Sequence, residues 1–89
     1  MVRFVADRTN TVVKVRIAGE EHTIKGNATT EYIMELAKIV DEKMREIQKV
    51  SPNLTRYRIA ILAAINLADE LLKVRNEYQE LLKLMEEAN

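Results

Sequence analysis

The stretch from Thr55 to Asn89 changes character part-way along: it is apolar on every side, then apolar along one stripe. Ile59-Ala60-Ile61-Leu62-Ala63-Ala64-Ile65 presents no polar face, and after it Leu67, Leu71, Val74, Tyr78, Leu81, Met85 and Ala88 recur at steps of four and three. A helix that is apolar all round must be covered all round. A stripe repeating about every 3.5 residues is the seam of a coiled coil. Neither glycine nor proline interrupts the segment, so at ~1.5 Å per residue it makes roughly 50 Å of continuous helix. That exceeds the width of a small domain. One helix therefore starts inside a globular unit and leaves it as an arm, and a chain built this way is made to associate rather than to catalyse.

Composition narrows the reading. The 89 residues carry 14 Lys plus Arg and 14 Asp plus Glu, so the formal charge is zero. A broad nucleic-acid footprint needs clustered basic surface, so no nucleic-acid partner is expected. Cysteine is absent, which leaves no disulfide, thiol nucleophile or thiolate metal site and fits a reducing compartment. No apolar run approaches the roughly 20 residues that span a bilayer. Met1 to Asn10 has neither the long apolar region nor the small-residue cleavage site of a signal peptide. The expectation is a cytoplasmic protein with no membrane partner.

The remainder of the chain reads as α+β: an N-terminal β-hairpin, one short helix, then the long helix continuing into an oligomerising coiled coil. In residues 1–10, Phe4 and Val5 suit an extra strand, Asp7-Arg8-Thr9-Asn10 suits a turn, and a disordered lead-in is equally open. Thr11 to Ile17 alternates Val13, Val15 and Ile17 with Lys14 and Arg16, the pattern of a half-buried strand. Gly19 sits in a reverse turn around Ala18-Gly19-Glu20-Glu21, and His22-Thr23-Ile24-Lys25 returns as a second strand ended by Gly26-Asn27. Thr29 or Thr30 caps the first helix, with Glu31 in its first turn. Ile33, Leu36, Ala37, Val40, Met44 and Ile47 form its apolar face; Glu42–Arg45 and Lys43–Glu46 are spaced to pair on the surface. Ser51-Pro52-Asn53 ends it. Thr55 caps the second helix, and Leu54 before it is placed to staple onto Ile59. The expected organisation is residues 1–10 as a lead-in, 11–68 as a globular unit and 69–89 as a coiled-coil arm.

With Ala64, Leu71, Tyr78 and Met85 at a positions, Leu67, Val74, Leu81 and Ala88 fall at d, and the pattern reaches back to Tyr57 and Ala60. The oligomerisation residues are then Ala60, Ala64, Leu67, Leu71, Val74, Tyr78, Leu81 and Met85. Glu70 at g is placed to reach Arg75 of a parallel mate. Leu82 and Leu84 widen the stripe beyond what a two-stranded coil covers, so a dimer through the globular part and a tetramer through the arms are expected. Ile61, Ile65, Ala68 and Leu72 lie on a second stripe, expected to pack on the first helix and the hairpin.

Nothing in the chain suggests an enzyme. His22 is the lone histidine, short of the several ligands a metal site needs. The carboxylates sit in charge-mixed surface, unsuited to acid–base work, and Gly19 and Gly26 do not make a phosphate-cradling loop. No catalytic residue, cofactor or metal is expected. Lys14, Arg16 and Lys25 share the polar side of the hairpin, which reads either as a solvated face or as a docking patch for an acidic partner. A nucleic-acid-associated dimer with its hairpin in a groove is disfavoured by the acidic Glu20-Glu21 tip; a generic coiled-coil adaptor is the other alternative.

The hairpin Val15-Arg16-Ile17-Ala18-Gly19-Glu20-Glu21-His22-Thr23-Ile24 resembles the opening of ZapA-type bacterial cell division proteins. Val40-Asp41-Glu42-Lys43-Met44-Arg45-Glu46-Ile47 resembles a segment of the shorter, Gram-positive-like members. Pro52-Asn53-Leu54 and Arg58 to Leu71 resemble the family's long-helix core. The order and spacing of these pieces, over roughly Thr11 to the end, make the likeness specific. It implies a non-enzymatic protein that binds FtsZ, the tubulin-like GTPase of the division ring. It also implies cross-linking of FtsZ protofilaments at midcell by dimers that pair into tetramers through the C-terminal coiled coil. Proteobacterial relatives carry a basic residue beside the hairpin glycine that matters for FtsZ contact; here Glu20 follows Gly19. The FtsZ-contact candidates are instead Lys14, Arg16, Lys25 and Arg56.

Overall fold

The computed structural model describes residues 11–88, and the expectations for residues 1–10 fall outside it. Strand β1 (Thr11–Ile17) pairs antiparallel with β2 (Glu20–Gly26). Helix α1 (Thr30–Val50) and helix α2 (Arg56–Glu87) follow, completing the expected α+β order.

The hairpin closes more tightly than the sequence suggested. Ile17 pairs directly with Glu20, leaving a two-residue turn of Ala18 and Gly19 and starting β2 two residues before His22. Both turn residues have positive φ, 52° at Ala18 and 80° at Gly19. This is the combination whose twist matches that of the flanking strands. Only glycine takes such a φ freely, so Ala18 has to be held there. Its N–H donates to Asp41 Oδ1 of α1 at 2.8 Å.

Thr29 caps α1, its Oγ1 accepting from the N–H of Tyr32, and Ser51 closes the other end. Ile33, Ala37 and Met44 of the expected apolar face are buried, with Leu36, Val40 and Ile47 half-buried. Val13 and Val15 of β1 cover Ile33 and Ala37, with Ile17, Ile24 and Ala28 around them. Met44 instead meets Ile59 and Ala63 of α2, and Leu54 joins this second cluster where the staple was expected. Ile17 touches both clusters and makes one continuous core of them.

Of the two surface pairs expected on α1, one changes partner and the other forms. Arg45 pairs with Asp41 four residues back, at 2.9 Å, rather than with Glu42. Lys43 does meet Glu46, at 3.6 Å, but also hydrogen-bonds Glu70 of α2 in the same chain. Glu70 thus stitches α2 to α1 within one protomer.

The second apolar stripe is where the sequence reading fails. Ile59 and Ala63 are the buried residues of α2, and Leu67, four further on, is half-buried. Ile61 lies two residues from Ile59, about 200° round the helix. Ile61, Ile65, Ala68 and Leu72 accordingly point away from α1 and the hairpin and are exposed. A run that is apolar on all sides does not reveal which side faces its own domain. The cap at Thr55 and the staple from Leu54 fix that side, because they set the rotation of Ile59.

Candidate interaction surfaces

Register places the hairpin's side chains. Val13 lies opposite Ile24, Val15 opposite His22 and Ile17 opposite Glu20 on the face toward the helices. The other face carries Val12 with Lys25, Lys14 with Thr23, and Arg16 with Glu21. Lys14, Arg16 and Lys25 therefore share one outward surface. Among the described residues, no carboxylate pairs with Lys14 or Lys25. Arg16 folds over the turn and donates to the Gly19 carbonyl at 2.9 Å.

Arg56 stands apart from these three. Its guanidinium meets Glu20 at 2.7 Å, tying the turn end of the hairpin to the first residue of α2. It lies on the helix-facing side of the sheet, at the rim of a groove of about 400 Å³ floored by Ile17, Ile24, Met44 and Ala60 and flanked by Tyr57. His22 lines the same groove. Sequence reasoning missed this groove because its walls come from four elements. Tyr57, which the sequence reading placed only at the start of the seam, flanks it and is 74% exposed.

A second hollow, about 260 Å³, lies between β1 and α1 and is lined by Lys14, Val15, Arg16, Met34, Ala37, Lys38 and Asp41. Lys38 falls outside the apolar face expected for α1. Met34 and Lys38 are one turn apart and adjoin Ile33 and Ala37, which bind β1, and that adjacency is the signal that places them beside the strand.

The long helix presents the largest surface. Leu71, Val74, Tyr78, Leu81 and Met85 are 60, 61, 60, 54 and 57% exposed, and Ala60 and Ala64 are exposed as well. Ile61, Ile65 and Leu72 are open on the other side of the same helix. Lys43 is the one described group with a displaced titration: its hydrogen bond to Glu70, supported by the charges of Glu46 and Glu70, holds its pKa above the ordinary lysine value. Among the described residues, no three His, Cys, Asp or Glu side chains are placed to hold a metal, and no helix is long and apolar enough to cross a membrane.

Comparison with known proteins agrees with this architecture over nearly its whole length. The family model described as "Cell division protein ZapA" matches residues 13–89. The chain belongs to the ZapA family. It is 39% identical over 79 residues to the cell division protein ZapA of Geobacillus sp. (strain WCH70), covering 89% of this chain and 91% of the relative. It is 39% identical over 77 residues to that of Geobacillus thermodenitrificans (strain NG80-2), covering 86% and 85%. Among solved structures, a ZapA mutant dimer from Geobacillus stearothermophilus aligns with a TM-score of 0.67 at 35% identity, covering 92% of this chain and 95% of that one. Membership of the ZapA family makes this a cell division protein and a non-enzymatic one.

Proposed function

We propose that this protein binds FtsZ and cross-links its protofilaments, acting in the cytoplasm at the midcell division site. One observation carries the reading: folding buries a single side of α2 and leaves two apolar sides of it open. Two open faces on one helix call for two partners, and sister copies supply both. A dimer forms through the globular unit, residues 11–68, and two dimers join through the arms, residues 69–89, with Ala60, Ala64, Leu67, Leu71, Val74, Tyr78, Leu81 and Met85 as the shared seam. The solved dimer of a Geobacillus stearothermophilus ZapA mutant supports self-association of this fold.

Such a particle carries several hairpin heads. Each head contacts FtsZ through the outward cations Lys14, Arg16 and Lys25. Arg56, engaged with Glu20, sets the hairpin's seat on α2 and contributes indirectly. Weak single contacts become firm bridges when the heads are linked, because the second contact forms at high effective concentration.

Leu71→Glu and Leu81→Glu each place charge in the seam. Both are expected to lower particle mass and to reduce FtsZ bundling, followed by light scattering with GTP, while binding by a single head persists. Undiminished bundling by a variant shown to be monomeric would overturn the cross-linking mechanism.

A further inference from the structure

The sheet has two strands among the described residues, so β1 has an edge that β2 does not cover. A two-residue turn makes Ile17–Glu20 a hydrogen-bonded pair, and bonded and non-bonded pairs then alternate along an antiparallel ladder. Thr11, Val13, Val15 and Ile17 accordingly direct their N–H and C=O groups at β2. Val12, Lys14 and Arg16 direct theirs at the open edge. The 260 Å³ hollow runs along that edge: Lys14, Val15 and Arg16 line it from β1, Met34, Ala37, Lys38 and Asp41 line it from α1, and no residue of β2 does. It has an apolar floor, a row of strand-type donors and acceptors, and three cations at its rim. Its one carboxylate is already engaged, since Asp41 accepts from the Ala18 N–H and from Arg45.

We propose that this edge receives an extended, acid-rich segment of FtsZ as a third strand beside β1, an inference that rests on the FtsZ-binding function above. Main-chain bonds to Val12, Lys14 and Arg16 give the affinity, and Lys14, Arg16 and Lys38 select the acidic side chains. A second copy of β1 is a poor occupant. Antiparallel pairing about Lys14 sets lysine against lysine, and cations on an edge strand discourage that pairing. Residues 1–10 carry Arg3 and Arg8 against Asp7, so their charge has the wrong sign too.

Amide hydrogen exchange of the full chain, alone and with FtsZ and GTP, tests the inference. Val13, Val15 and Ile17 are expected to be protected throughout, and Val12, Lys14 and Arg16 to gain protection only with FtsZ. Lys14→Pro, which removes an edge N–H without breaking the ladder to β2, is expected to weaken binding roughly tenfold. Lys14→Ala and Lys38→Glu should weaken it roughly two- to fivefold, the size of an exposed charge effect. Three results would overturn the inference. FtsZ binding with unchanged exchange at the edge leaves FtsZ recognition standing and removes the added strand. Edge protection in the free protein means that the chain or its copy already fills the site. Equal protection by a DNA duplex points to a phosphate-backbone partner. Failure of the wild-type chain to sediment with FtsZ filaments would instead bring down the functional reading itself, and this inference with it.

Discussion

Ala18 and Gly19 show how much of the fold turns on two residues. Adding a Cβ at Gly19 meets nothing within 4 Å, so Gly19→Ala has no steric clash and costs only the strain of a positive φ, about 1 kcal/mol. Ala18 already bears that strain, but its methyl group packs against Met44, Ile59 and Ala63. Ala18→Gly relieves about 1 kcal/mol of strain and forfeits about 0.8 kcal/mol of methyl burial, so its net effect is expected to be close to zero. Urea denaturation at one fixed protein concentration separates the two: Gly19→Ala should lower the midpoint and Ala18→Gly should leave it almost unmoved. Nothing in the sequence marked Ala18 as left-handed. The anchor that holds it, Asp41, is 23 positions away and reads as one more surface carboxylate.

At the scale of elements, legibility followed local signals. Strand β1, both helices, their caps and the face of α1 were legible because alternation, a three-four period and Thr at a helix start are local patterns, and each was found where the pattern put it. The start of β2 was not, since Glu20-Glu21 shows no alternation and only the turn geometry sets it. The outward grouping of Lys14, Arg16 and Lys25 was legible from strand parity. The separation of Arg56 from them was not, because it depends on which side of the hairpin α2 approaches. The polar tie across the α1–α2 junction likewise joins distant residues, Lys43 and Glu70, beside the apolar contact of Met44 with Ile59 and Ala63. The pKa of Lys43 is raised above 10.5 in the fold, so its contribution is fully present below that ordinary value and is lost as pH rises through the raised one. Wild type and Lys43→Gln, denatured in parallel, should differ in stability near neutral pH and converge at strongly alkaline pH. A difference that persists there would mean that the Lys43 side chain supports the junction by something other than its charged hydrogen bond.

For the whole molecule, the central claim is that α2 finds its missing burial in sister subunits. Residues 68–88 are exposed throughout in the single chain, although Leu71, Val74, Tyr78, Leu81 and Met85 keep coiled-coil spacing. Ile61, Ile65 and Leu72 add a second uncovered side nearer the core. Exposed apolar surface of this extent on one helix marks an association site, and the stability of such a chain depends on its own concentration. Sedimentation equilibrium of the intact chain from low to high micromolar concentration tests this most directly. The account predicts that dimer gives way to tetramer as concentration rises, with Leu81→Glu held at the smaller species. A wild-type chain that stays folded and monomeric at the highest concentration would contradict it.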